Sequence, residues 1–163
     1  MQIILIVETR ASCESDYRYI KSTIDYFYVE RSYKLSKVFA RSKAELIRSD
    51  KKIAALKANY SGDSAVIICA DYDAPNDPLN REIERYCHTH SCELVWMNVD
   101  VEEVFWGRCV LSRDKNKESI RFLTKKHSIM PSLTTINVKD PTLRHPASNL
   151  LPVLDKYLKR KIY

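Results

Sequence analysis

The chain has 163 residues, 45% of them hydrophobic and 29% charged, a balance that excludes a disordered or collagen-like chain and predicts a single domain over residues 1–163 with a sizeable core. The 27 Lys and Arg against 21 Asp and Glu leave a net charge of +6, which is compatible with a polyanionic partner without identifying one. The first apolar run is too short for a signal peptide or membrane span and lacks a basic flank, so the protein is expected to be cytoplasmic, without membrane contact. Cys13, Cys69, Cys87, Cys92 and Cys109 have no framework spacing and read as reduced thiols.

Ile3 to Val7 is a continuous apolar run, short enough for a strand and apolar on both faces, as a central parallel strand requires. Glu8 stands at its carboxyl end. From Ser15 to Tyr28 the residues Tyr19, Ile20, Ile24, Phe27 and Tyr28 fall at helical spacing, with Glu14 or Ser15 as the cap. Tyr33 to Ala40 alternates as a strand. Ser42-Lys43-Ala44-Glu45 is a capping-box pattern that predicts a helix running to about Ala58, with Ala44, Ile47, Ala54, Ala55 and Ala58 on its apolar side. Tyr60 to Asp63 makes a turn before a second fully apolar strand, Ala65 to Ala70, which ends in Asp71-Tyr72-Asp73.

Pro78 suits the first turn of a helix through about His88. Glu93 to Val99 is a fourth strand, followed by Asp100, Glu102 and Glu103. The resulting β-α-β-α-β-α-β order predicts a three-layer, Rossmann-like, mainly parallel sheet of about four strands with helices on both faces. Residues 1–106 form this core and residues 107–163 a mixed extension, with a helix at Lys117 to Lys126, an ambiguous stretch from Met130 to Asp140 between prolines, and a terminal helix at Asn149 to Lys161.

Functional groups of open parallel sheets collect outside the carboxyl ends of the strands. Three of the four strands end in acid: Glu8, the Asp71 and Asp73 pair, and Asp100 with Glu102 and Glu103. Two unit charges about 4 Å apart repel by about 4 kcal/mol at an effective dielectric near 20, so such a rim needs a cation or protonation. Hard oxygen donors without converging histidines favour Mg²⁺, with Mn²⁺ as a substitute, over Zn²⁺. The D-x-D spacing turns both carboxylates to one side of an extended chain and Tyr72 to the other. A solvated Asx turn is the plainer reading of DYDAPNDP, and Glu8 on an equally buried strand favours the metal.

The strand-plus-glutamate IILIVE and the strand-plus-D-x-D AVIICADYD together resemble the Toprim domain of topoisomerases, bacterial primases, OLD-type nucleases and ribosomal RNA maturases. The resemblance covers about residues 1 to 106. ETRASCESDY is similar to the E-G-x-x-x-E-x-x-Y opening of RloB-like proteins, small Toprim relatives found among bacterial defence genes, and NVDVEEVFW to their later acidic and aromatic segment. The chain departs from these patterns in carrying Thr9 for glycine and one extra residue before Glu14.

The resemblance implies a Mg²⁺-dependent nuclease or related phosphoryl-transfer enzyme that acts on DNA or RNA in defence against phage, with a partner protein or ATPase. Glu8 would serve as general acid/base or metal ligand and Asp71 and Asp73 as metal ligands, with Glu14, Asp100, Glu102 or Glu103 for a second metal. A Toprim-like module that binds nucleic acid or a partner protein without catalysis is the alternative. A nucleotide-binding regulator lacks a Gly-rich phosphate loop.

Nine basic against two acidic residues between Arg31 and Lys57, and seven against two between Gly107 and His127, are solvated helix faces unless they flank the acidic rim. In that case Lys43, Arg48, Lys51, Lys52, Arg108 and Arg113 would hold phosphates. Cys87-His88-x-His90-x-Cys92 reads as a helix end with incidental thiols rather than a zinc site. His127 and His145 lack a nucleophile pattern, and the tyrosines read as core.

Overall fold

A computed structural model describes residues 1–30, 33–72, 74–133 and 147–162. β1 (Gln2–Glu8) leads through α1 (Ser15–Phe27) to β2 (Lys34–Ala40). The short α2 (Lys43–Leu46) and α3 (Asp50–Ala58) carry the chain to β3 (Ser64–Tyr72), and α4 (Pro78–His90) carries it to β4 (Glu93–Asn98). After these come α5 (Val101–Trp106), α6 (Lys115–Ser132) and α7 (Leu150–Leu154). The four strands form one parallel sheet in the order β2-β1-β3-β4.

The central strands are β1 and β3, the two uninterrupted apolar runs. Ile6 pairs with Val38 on one side and Ile68 on the other. Alternation along the strands divides the core into two layers. Ile3, Leu5, Val7, Ile67, Cys69, Val95 and Met97 face Tyr19, Ile20 and Ile24 of α1, with Val104 and Phe105 of α5 and Phe122 of α6 behind them. Ile4, Ile6, Val66, Ile68 and Trp96 face Leu46 of α2, Ile53 of α3, and Ile83 and Cys87 of α4. Right-handed crossovers explain the division: the chain moves outward from β1 to β2, then back across β1 to β3, which puts the first and second connections on opposite faces.

The extension beyond residue 106 packs into the α1 layer. Phe122 is fully buried, with its ring 4.6 Å from Tyr19 and 5.3 Å from Phe105. Leu150, Leu151 and Leu154 of α7 are buried in the same cluster. No helix among the described residues is long and apolar enough to cross a membrane.

Five sequence expectations need correction. The single helix expected from Ser42 to about Ala58 is two, because the chain breaks at residues 47–49, where the Ser49 hydroxyl donates to the Glu45 carbonyl at 3.2 Å. Only half of the capping box forms, shifted by one residue: Glu45 Oε2 accepts from the Arg41 backbone N–H at 2.8 Å, and Ser42 makes no side-chain cap. Ala54, Ala55 and Ala58 are exposed, and Ile53 alone of α3 is buried. The expected terminal helix stops at Leu154, since Asp155 turns the chain by accepting two bonds from Arg160, at 2.7 and 2.8 Å, and one from Tyr28 at 2.9 Å. An antiparallel bridge between Tyr28 and Arg160 then completes the return. The helix expected at Lys117 to Lys126 is longer, α6, and it absorbs Met130; residues 134–140 of the ambiguous stretch lie outside the described residues.

Because Phe122 joins the extension to the sheet, Phe122→Ala should lower the unfolding free energy by about 3–5 kcal/mol in a urea titration that stays one transition. Leu123→Ala, at a 42% exposed position, should change it by no more than about 0.5 kcal/mol.

Candidate functional site

The order β2-β1-β3-β4 reverses direction between β1 and β3, which makes the crevice at their carboxyl ends the switch point of the sheet. Glu8 ends β1, and Asp71 lies in the last pair of residues of β3, so the two sequence-derived acids come from adjacent parallel strands at the same end. Both line one cleft of about 480 Å³, together with Thr9, Asp16, Arg41 and Lys115. Tyr72 turns to the opposite layer, where its ring packs on Trp96 at 5.2 Å. Asp73 lies outside the described residues.

Two members of this site were not singled out from the sequence. Asp16 sits in the first turn of α1 and is buried, with Oδ1 accepting from the Ser15 hydroxyl at 2.7 Å. In sequence, an aspartate after serine at a helix start reads as a cap or a dipole partner. Lys115, at the start of α6, has its ammonium 2.8 Å from Glu102 Oε2 and 3.2 Å from Asp100 Oδ2. No local pattern predicts that contact, which depends on how α6 crosses α1. Arg18 of α1 sets the crossing by donating to Asn116 at 2.6 Å and to Ser119 at 2.9 Å.

Loss of water dominates the electrostatics. Burial, reinforced by the charge of Glu102 and to a smaller degree Glu8, pushes the Asp16 carboxyl up to about 7 despite the Ser15 hydrogen bond and Lys115. Asp71 keeps some exposed residue surface, but its carboxyl is surrounded by protein. It is raised well above the usual carboxylate range by burial and then by Asp16, with Glu8 and Asp100 adding to the effect. Glu102 is completely buried and also raised, because burial outweighs its ion pair with Lys115. Its Oε2 lies 2.8 Å from the Lys115 ammonium. Burial alone would lower the Lys115 pKa, yet Glu102, Asp100 and Asp71 together raise it.

The turn that places Asp100 is strained. Val99 has φ 68°, unfavourable for a β-branched side chain, and it ends β4 one residue earlier than the sequence suggests. Asp100 then caps α5, its Oδ1 accepting from the Glu103 N–H at 2.8 Å while Oδ2 faces Lys115.

The other predicted site residues are placed elsewhere. Glu14 pairs with Lys37 of β2 at 2.8 Å, and Glu103 is half-buried on α5 with its backbone N–H in the Asp100 cap. Lys43 is buried between Asp77 at 3.5 Å and Asn80 at 3.4 Å, a structural position rather than an open phosphate contact. Arg108 pairs with Glu118 at 2.6 Å and lies over Trp106, Arg113 is exposed beside Asp114, and Lys51 is exposed. Arg48 and Lys52 line a cleft of about 460 Å³ with Arg41, next to the acidic one.

Carboxylate oxygens held out of water beside one another form a donor set suited to a hard divalent cation. Among the described residues, no three Asp, Glu, His or Cys side chains already stand in a metal-ligating array. Glu8, Asp16 and Asp71 would therefore have to close on an ion.

The Asp16 pKa has a pH consequence. A carboxyl raised from 3.8 to about 7 in the folded protein holds its proton there while the unfolded chain releases it. Its contribution to stability is thus full below pH 3.8 and is lost as pH rises through about 7. Asp16→Asn removes the penalty, so in EDTA its melting temperature should exceed wild type at pH 8, by about 2–4 °C for each kcal/mol relieved, and by less at pH 5. Thermal melts at both pH values check this; an Asp16→Asn curve parallel to wild type would contradict it. Compared with known protein families, curated proteins and solved structures, the chain has no significant match.

Proposed function

We propose that the chain is a Mg²⁺-dependent nuclease or related phosphoryl-transfer enzyme of Toprim type that acts on DNA or RNA. The observation that carries this reading is the meeting of Glu8, Asp16 and Asp71 in one cleft at the β1–β3 switch point, beside a cleft lined by Arg41, Arg48 and Lys52. The order of the strands and the strand-end acids fit the Toprim resemblance over residues 1–106. That resemblance also supplies the proposed setting, a bacterial defence system with a partner protein or ATPase, and Mn²⁺ as a replacement ion.

In this reading Glu8, Asp16 and Asp71 hold the ion, which when bound supplies a Lewis acid for a phosphoryl oxygen and lowers the pKa of its water. Lys115 keeps Asp100 and Glu102 paired at the back of the cleft and presents positive charge towards a phosphate oxygen. Glu8, at the rim of the strand end, has the alternative role of general acid/base: where it moves a proton at the attacking or leaving oxygen, Asp16 and Asp71 hold the ion without it. A second reading, a nucleic-acid-binding module without catalysis, is favoured by one observation: Lys115 already places a cation among the acids.

Incubation of the purified chain with labelled single-stranded DNA or RNA separates the two. The enzyme reading predicts cleavage with Mg²⁺ or Mn²⁺ and none in EDTA, with Glu8→Gln, Asp16→Asn and Asp71→Asn each slower by roughly 10²-fold or more. Binding without cleavage under all metal conditions would sustain the second reading instead, and cleavage unchanged in Asp71→Asn would sink the site assignment.

A further inference from the structure

The acidic cleft is not isolated. Arg41 lines it and also the two clefts beside it, of about 460 and 550 Å³. Thr9 is shared between the first of these and the acidic cleft, Arg10 and Ser12 between the second and the acidic cleft, and Ala11 between the two basic ones. The three are therefore one continuous depression across the carboxyl ends of β2 and β1, running into the acids of β1 and β3.

Its outer part is positively charged and built by the break between α2 and α3. A continuous helix would end there without a corner, whereas the turn at residues 47–49 sets Arg48 at the corner and Lys52 on the first turn of α3, both beside Arg41 from the end of β2. Among the described residues that line this part the one carboxylate, Glu45, is engaged by the Arg41 backbone N–H. Arg10, Arg41, Arg48 and Lys52 are all exposed, and none of the four is in an ion pair within the described residues. Among the described residues that line the depression Phe39 is the one aromatic ring, and it is half-buried and already edge-packed by Tyr17 at 5.7 Å.

We propose that this depression is a track for the phosphate backbone of a single nucleic-acid strand, gripped by Arg41, Arg48 and Lys52 and led past Arg10 to the acids. This rests on the nuclease reading and adds the direction of the strand, from the β2 edge towards β3, and the means of recognition. With cations but no free aromatic platform, the grip acts on phosphates and not on bases, so it is indifferent to sequence.

The test is fluorescence anisotropy in EDTA, with the full chain, a labelled single-stranded oligonucleotide and a series of salt concentrations. Each phosphate neutralised contributes about 0.7 to the salt slope for a single strand. The Arg41→Ala/Arg48→Ala/Lys52→Ala variant should therefore bind at least about tenfold more weakly, with a slope smaller by about 2. Lys51→Ala/Arg113→Ala, exposed residues outside the depression, should change both far less. Since the three track residues are exposed, the variant should melt with wild type, and Arg48→Glu alone should weaken binding more than Lys51→Glu.

Equal losses in the triple and the control variants would overturn the track, as would binding of two oligonucleotides of different sequence with affinities tenfold apart. The nuclease reading fails separately: Asp71→Asn should bind in EDTA at least as well as wild type, and absence of Mg²⁺-dependent cleavage with binding still lost in the triple variant would leave the track standing without the chemistry.

Discussion

Carboxylates withdrawn from water at the point where a parallel sheet reverses its strand order impose the constraint on which the rest of this structure depends. Asp16 and Asp71 are raised out of the ordinary carboxylate range by burial, Asp16 further by Glu102 and Glu8 and Asp71 further by Asp16. A protein core gains nothing from such an arrangement, because each charge loses its hydration and repels its neighbours. The fold tolerates it through one internal cation, Lys115, and a retained proton on at least one acid near neutral pH. Both are the responses expected of a site arranged around positive charge that the side chains supply only in part.

Several distant features make sense as supports for this cluster. The apolar runs of β1 and β3 put their ends side by side in the centre of the sheet. Arg18 ties α1 to the start of α6, where Lys115 lines the same cleft as Asp16. The strained Val99 turn lets Asp100 cap α5 and face Lys115 at once. The extension beyond residue 106 is thus both part of the core, through Phe122, and part of the site, through Lys115.

The sheet was legible in the sequence because its central strands are apolar on both faces and each ends in acid, so Glu8, Asp71 and Asp100 could be assigned to one rim from local pattern alone. Asp16 was not, since a serine and aspartate at a helix start are the commonest capping residues and carry no mark of burial. Lys115 was hidden for a different reason: its partners lie on α5 and its placement depends on helix crossing, a tertiary property. Lys43 shows the converse error, for a basic residue in a basic stretch proved to be buried beside Asp77 and Asn80. Helix periodicity also ran through the α2–α3 break, because Ser49 bonding back to Glu45 is invisible to a 3.6-residue repeat, yet that break sets the corner at which Arg48 joins Arg41.

The central claim is that these carboxylates are held together for a divalent cation. The most direct measurement is the melting temperature of the metal-free chain at pH 8 as Mg²⁺ is added, beside an Asp16→Asn/Asp71→Asn variant. Preferential binding to the folded state stabilises by about 2.7 kcal/mol at a hundredfold excess over the dissociation constant, which for a chain of this length is a rise of roughly 5–10 °C. The account predicts that rise in wild type and its loss in the double variant, whose metal-free melting temperature is already higher. A wild-type curve that Mg²⁺ and Mn²⁺ leave unmoved, or an equal rise in the double variant, would contradict it.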